Sequence, residues 1–209
     1  MDKCDFSLVE KILNSGETVD TGAQKIVIKN VPDEGDFAGK MDPREFFIRS
    51  AIYAFQKSMP MQFSVAGMRQ TTKTYCQDMC KGQISEDAVD LICGGRTFKL
   101  FSYWPSDKSD EVLPVMVYIH GGSFMASKAE FYKEPCRYVA ENLGCRVFNV
   151  DYSLAPENVY PAAIEDVLAA VEYIYTNAST LKVDASKIGL FGDSAGANLA
   201  LAAIIDNKT

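Results

Sequence analysis

Ser194 stands at the centre of Gly192-Asp193-Ser194-Ala195-Gly196, between the apolar run Lys187-Ile188-Gly189-Leu190-Phe191 and the helix-forming stretch Ala197-Asn198-Leu199-Ala200-Leu201-Ala202-Ala203-Ile204-Ile205. A strand, a tight turn and a helix, with the serine at the turn, is the context in which a G-x-S-x-G pentapeptide presents a nucleophilic hydroxyl. Small residues on either side, Gly192 and Gly196 above all, let the backbone turn sharply. A glycine-rich turn that binds phosphate is the competing reading, but phosphate loops carry more glycines or a following lysine. A serine hydroxyl attacks only when a base takes its proton. The chain holds one histidine, His120, far upstream of Ser194. After Ser194 come no histidine and a single carboxylate, Asp206, too far along the nucleophile's own helix to orient a base.

Two more segments point the same way. His120-Gly121-Gly122-Ser123-Phe124 follows an apolar run. Acyl transfer through a serine needs backbone N–H groups aimed at the developing oxyanion, and a glycine pair brings the chain close to a substrate. Gly121, Gly122 and Ser123 are donor candidates, with the amide of Ala195 as the donor after the nucleophile. His120 is expected to brace that loop, and Asp193 to support the turn. The third segment runs Asp151-Tyr152-Ser153-Leu154-Ala155-Pro156-Glu157 and then Tyr160-Pro161-Ala162-Ala163-Ile164-Glu165-Asp166. By itself it is a strand, a loop and a capped helix, its carboxylates expected in a solvated loop.

The elements that must position these residues follow from periodicity. Strands are expected over 88–93 and 98–103, flanking the hairpin signal Gly94-Gly95, and over 114–120, 146–151 and 187–192. Helices are expected over 128–143, stopped at Gly144, over 161–176 and over 195–206. Five strands alternating with helices imply an α/β fold with a mostly parallel sheet covered on both faces. The first eighty-odd residues read as helical and rich in aromatics, with helices over 6–13, 42–60 and 69–79 and period-2 alternation only over 24–29.

Composition bounds the function classes. A net charge of −7 disfavours a polyanionic partner such as nucleic acid. No apolar run approaches the roughly 20 residues of a membrane span, so no transmembrane segment is expected. The N-terminus lacks the basic start and apolar core of a signal sequence, which makes the cytoplasm the expected compartment and removes weight from the sequons at Asn177 and Asn207. The six cysteines (Cys4, Cys76, Cys80, Cys93, Cys136, Cys145) are scattered and expected as reduced, packed thiols. Cys76 and Cys80 are expected to share a helix face. With so few further ligands, no metal site is expected.

Together the motifs His120-Gly121-Gly122, Asp151-Tyr152-Ser153-Leu154-Ala155-Pro156-Glu157 and Gly192-Asp193-Ser194-Ala195-Gly196 resemble the hormone-sensitive-lipase group of α/β-hydrolases, with its arylacetamide-deacetylase-like esterases and bacterial carboxylesterases. The resemblance runs from about Val89 to Ile205 and implies a partial α/β-hydrolase fold. Residues 86–209 would be its core, incomplete at the C-terminus, and residues 1–85 a helical cap over an acyl pocket. About three of the family's eight strands are absent, and with them the triad acid and histidine. The strand before Ser194 would then be a sheet edge exposing Ile188 and Leu190. The implied activity is hydrolysis of short to medium carboxylic esters, without metal or organic cofactor, by a complete protein that pairs as a homodimer. Ser123 stands where the family usually has a third glycine. Some hormone-binding plant relatives that hydrolyse nothing also carry serine there, so a non-catalytic small-molecule binding protein is the alternative.

Overall fold

The computed structural model describes residues 17–20, 25–28, 64–71 and 76–206. The chain divides into two compact units, Met1–Met61 and Gln62–Thr209. In the first, β1 (Glu17–Asp20) and β2 (Lys25–Ile28) pair antiparallel, Glu17 opposite Ile28 and Asp20 opposite Lys25. β2 lies in the stretch whose residues alternate, whereas β1 falls in a region read as helical. The helices expected over 6–13 and 42–60 lie outside the described residues.

The second unit is built on one sheet. β3 (Ile84–Cys93) and β4 (Arg96–Pro105) are joined by Gly94-Gly95 at φ 53° and 78°. Positive φ at both central residues matches the right-handed twist of the flanking strands. β5 (Leu113–Ile119), β6 (Arg146–Asp151) and β7 (Val183–Gly192) complete the order β3-β4-β6-β5-β7. β5 pairs parallel with β6 and β7, while β3–β4 and β4–β6 are antiparallel. The sheet is therefore mixed, with the motif-bearing strands in its parallel half.

Helices cover both faces. A 3-10 turn at Ala129–Tyr132 leads into α2 (Lys133–Leu143), which crosses from β5 to β6 and ends at Gly144, φ 59°, whose N–H returns to the Ala140 carbonyl. α3 (Ala162–Thr176) and the single turn α4 (Ala178–Leu181) cross from β6 to β7, and α5 (Ala195–Asp206) follows β7. Alternate residues of a strand point to opposite faces. Val115, Val117 and Ile119 of β5 accordingly join Leu100, Phe148 and Val150 against Val167 and Ile174 of α3 and Leu199 and Ala203 of α5. Tyr118, Tyr103 and Val147 face Cys136 and Ala140 of α2. Ile188 and Leu190 of the edge strand β7 are half-buried against the first of these clusters.

One expected helix sits elsewhere. α1 spans Val65–Thr71, and its start is set by Ser64, whose Oγ accepts from Gly67 N at 3.0 Å. A serine at the N-cap satisfies a donor the helix leaves free. Residues 76–80 are not helical, so Cys76 and Cys80 share no helix face. A local bond and tertiary ones hold this segment: Asp78 Oδ1 accepts from Cys80 N two residues on, while Asp78 pairs with Arg137 at 3.1 Å and the Glu141 carboxylate accepts from the N–H groups of Lys81 and Gly82. Cys76, Cys80, Cys93, Cys136 and Cys145 are free thiols.

Candidate active site

The carboxyl ends of parallel strands are where open α/β sheets hold ligands, and β5, β6 and β7 end here in the three motifs. Ser194 follows β7 with φ 50°. A left-handed conformation costs an L-residue about 1–2 kcal/mol and persists where neighbours over-determine it. Gly196 N donates to Asp193 O at 2.8 Å, and Asn198 N to Ser194 O at 3.1 Å, closing the first turn of α5. A Cβ on Gly192 or Gly196 would collide with the Ile119 carbonyl, so these glycines let α5 and β7 close on the end of β5. Ser194 is exposed.

Opposite the elbow runs the loop after β5. Asp193 ties the two together: its Oδ1 accepts from Tyr118 Oη at 2.7 Å and from Gly121 N at 2.9 Å. Burial, reinforced by this hydrogen bond, pushes the Tyr118 phenol well above its ordinary pKa. Gly121, expected as an oxyanion donor, thus has its N–H committed to Asp193, and a Cβ there would strike the same carboxylate. The amides of Gly122, Ser123 and Ala195 donate to no group among the described residues. Gly122 (φ 129°), Ser123 (φ 55°), Phe124 (φ 62°) and Ser127 (φ 75°) all lie in the left-handed region. The Gly122 carbonyl accepts from Met125 N and Ala126 N, which folds the loop back on itself.

His120 is fully buried and braces this loop. Its Nδ1 lies 2.8 Å from the Gly121 carbonyl, to which it donates as the Nδ1–H tautomer, and its ring stacks on Tyr152 at 4.3 Å. Tyr152 Oη donates to the His120 carbonyl at 2.8 Å. Nε2 is buried without a hydrogen-bond partner among the described residues. Burial lowers the imidazole pKa, against the weaker pull of Asp151 and Asp193. A histidine neutral in the fold but protonated near 6.5 when unfolded stabilises the fold fully above pH 6.5. That contribution falls as pH drops toward the lowered folded value. The Hε1 resonance of this sole histidine is expected to titrate below pH 6.5; a midpoint at or above that would show a solvated ring.

The third motif closes the site. Asp151 Oδ1 accepts from Ala129 N at 2.8 Å, securing the far end of the β5 loop. Asp166, expected in a solvated stretch, is instead fully buried, its Oδ2 accepting from Ser153 N at 2.9 Å and its Oδ1 from Arg96 Nη2 at 3.2 Å. Between this loop, the β5 loop and α5 lies a largely apolar cavity of about 720 Å³, lined among others by Ser123, Phe124, Tyr160, Asn198, Leu199 and Ile205. Tyr118 and Arg69 are site residues outside the three motifs, and Tyr152, though inside the third, is given no role by it. An apolar run marks Tyr118 only as core, and no local signal marks Arg69. Among the described residues no group of three His, Cys, Asp or Glu side chains is placed to hold a metal, and no helix is long and apolar enough to cross a membrane.

This geometry has counterparts. A family model described as alpha/beta hydrolase fold matches residues 116–209. An acetyl esterase of Salmonella schwarzengrund is 36% identical over 118 residues, covering 56% of this chain and 35% of that protein. Esterase LipI of Mycobacterium tuberculosis is 31% identical over 148 residues, 68% of this chain and 46% of that protein. Among solved structures, a hyperthermophilic esterase from the archaeon Pyrobaculum calidifontis superposes with a TM-score of 0.66 at 29% identity, covering 80% of this chain and 54% of that one. The chain thus spans less than half the length of these two curated relatives. With the elbow, the glycine loop and the β6 motif at the ends of adjacent strands, the chain has an α/β-hydrolase fold, and its residues 116–209 match the model of that family.

Proposed function

We propose that these residues are the nucleophile-bearing part of a serine carboxylic-ester hydrolase acting on short to medium acyl esters. The observation that carries this is Ser194, strained to φ 50° and exposed, beside a loop whose Gly122 and Ser123 amides, with that of Ala195, have no acceptor among the described residues. Unfilled donors beside a presented hydroxyl suit a charge that develops only during reaction. Ser194 Oγ bonds to the ester carbonyl carbon, the carbonyl π pair moves onto oxygen, and the amides hold that oxyanion. Its collapse breaks the C–O bond, the alcohol leaves with the proton taken from serine, and water repeats the sequence on the acyl-enzyme. The base that carries the proton is not His120, whose Nδ1 is engaged with Gly121 and whose ring is buried. In this reading the base is supplied from outside these 209 residues. The cytoplasm, where thiols stay reduced, is the proposed setting, and a homodimer the proposed assembly of the complete protein.

Hydrolysis of p-nitrophenyl acetate by the 209-residue chain is expected to match that of its Ser194→Ala variant. The product of the reading frame extended past Thr209 is expected to show turnover that Ser194→Ala abolishes. Strong Ser194-dependent turnover by the 209-residue chain would show another base at work. The departure at Ser123 favours a second reading, a non-catalytic binding protein, which saturable ester binding without turnover in the extended product would support.

A further inference from the structure

We propose that Arg69, on the helix preceding the sheet, is a positioning residue that sets the oxyanion loop; the inference rests on the esterase reading above. Its guanidinium reaches two loops at once. Nε donates to the Met125 carbonyl at 2.8 Å, inside the loop after β5, and Nη2 donates to the Ala155 carbonyl at 3.1 Å, inside the loop after β6. Glu157 takes the remaining edge as a fork, accepting from Nη1 at 2.9 Å and from Nη2 at 2.6 Å. That hydrogen bonding holds the Glu157 carboxyl at about 2. The loops also touch directly, Ala155 N donating to the Phe124 carbonyl at 2.9 Å.

The β5 loop needs such a fastening. Three of its non-glycine residues, Ser123, Phe124 and Ser127, are left-handed, and chain segments in sparsely populated conformations relax unless the surroundings hold them. Asp193 fixes the loop at Gly121 and Asp151 fixes it beyond Ser127, at Ala129. Between these anchors, Arg69 is the side chain among the described residues that binds a loop carbonyl, two residues after Ser123, whose amide is a proposed donor. A planar guanidinium presents its donors in a rigid fork, which an ammonium cannot imitate. The arrangement makes the geometry of the oxyanion amides depend on a helix outside the sheet.

The test uses Arg69→Ala and Arg69→Lys with two readouts. In the 209-residue chain, amide hydrogen exchange at Met125, Ala126 and Ala155 is expected to quicken roughly tenfold in Arg69→Ala while β5 and β6 keep their protection. In the extended product, kcat for p-nitrophenyl acetate is expected to fall roughly tenfold with KM within about twofold, lost binding of the transition state alone. Millimolar guanidinium should restore kcat in Arg69→Ala, and Arg69→Lys should not recover the parental rate. Unchanged exchange at the three amides, or exchange that quickens throughout the sheet, would overturn the positioning role. So would an unchanged kcat, or a loss that guanidinium leaves in place. If the extended parent shows no Ser194-dependent turnover, the esterase reading fails by itself, and the localised exchange result still decides whether Arg69 holds the loop.

Discussion

Gly196→Ala is expected to lower the unfolding free energy by about 3 kcal/mol, toward the upper end of what overpacking costs. Helix propensity alone gives the opposite sign, since alanine is better than glycine inside a helix by up to about 1 kcal/mol and Gly196 is the second residue of α5. Tertiary contact reverses it. A Cβ at 196 would overlap the Ile119 carbonyl and approach the His120 carbonyl to 2.6 Å. Both are backbone atoms at the end of β5, so relief requires moving α5 away from the sheet or distorting the segment that carries Gly121 and Gly122. A urea midpoint equal to or above that of the parent would show that α5 does not close on β5 as described. The same displacement would shift Ser194, two residues earlier, relative to the Gly122 and Ser123 amides, so turnover by the extended product should be lost together with stability.

Asp166→Ala is expected to cost about 3 kcal/mol, because it removes a buried carboxylate that accepts from both Arg96 and Ser153 N. The Asp166 side chain is fully buried, whereas Arg96 retains 22% exposure and a second acceptor in Glu165 at 2.7 Å. The arginine is therefore not stranded, and the larger loss falls on Ser153 N, whose acceptor is Asp166 Oδ2. A fully buried amide left without an acceptor costs about 1–3 kcal/mol, and half-buried Ser153 falls toward the lower end of that range. Asp166→Asn, which keeps an acceptor oxygen but loses the charge, should cost about half as much on the same grounds. Thermal or urea unfolding measures both variants. Equal losses would show that the charge, rather than the acceptor oxygen, carries the whole contribution, and no loss in Asp166→Ala would mean the carboxylate is solvated after all.

Features that depend on a residue and its immediate neighbours were legible in the sequence. The Gly94-Gly95 hairpin, the left-handed stop at Gly144 and the strand–turn–helix around Ser194 each reflect a local φ preference, and the apolar run of β5 marks a buried strand, whose division of the core between two sheet faces only the structure shows. Of the helix expected over 69–79, residues 69–71 belong to α1 and residues 76–79 are not helical, where long-range bonds from Arg137 and Glu141 to residues 78–82 compete with propensity. The Ser64 cap of α1 was present in the sequence as an ordinary serine between Phe63 and Val65 and became a signal only with its bond to Gly67.

The sequence by itself determined that a serine would be held out on a strained turn beside a glycine loop, and that no second histidine was at hand to activate it. Tertiary structure decided which amides remain free, because Gly121 meets Asp193 across 72 residues of chain. It decided that Asp166 lies buried, and that Arg69 reaches Glu157 across 88 residues. Local preference arises from sterics within a few residues, whereas these bonds depend on distances set by the packing of whole strands and helices, which no short window of sequence contains.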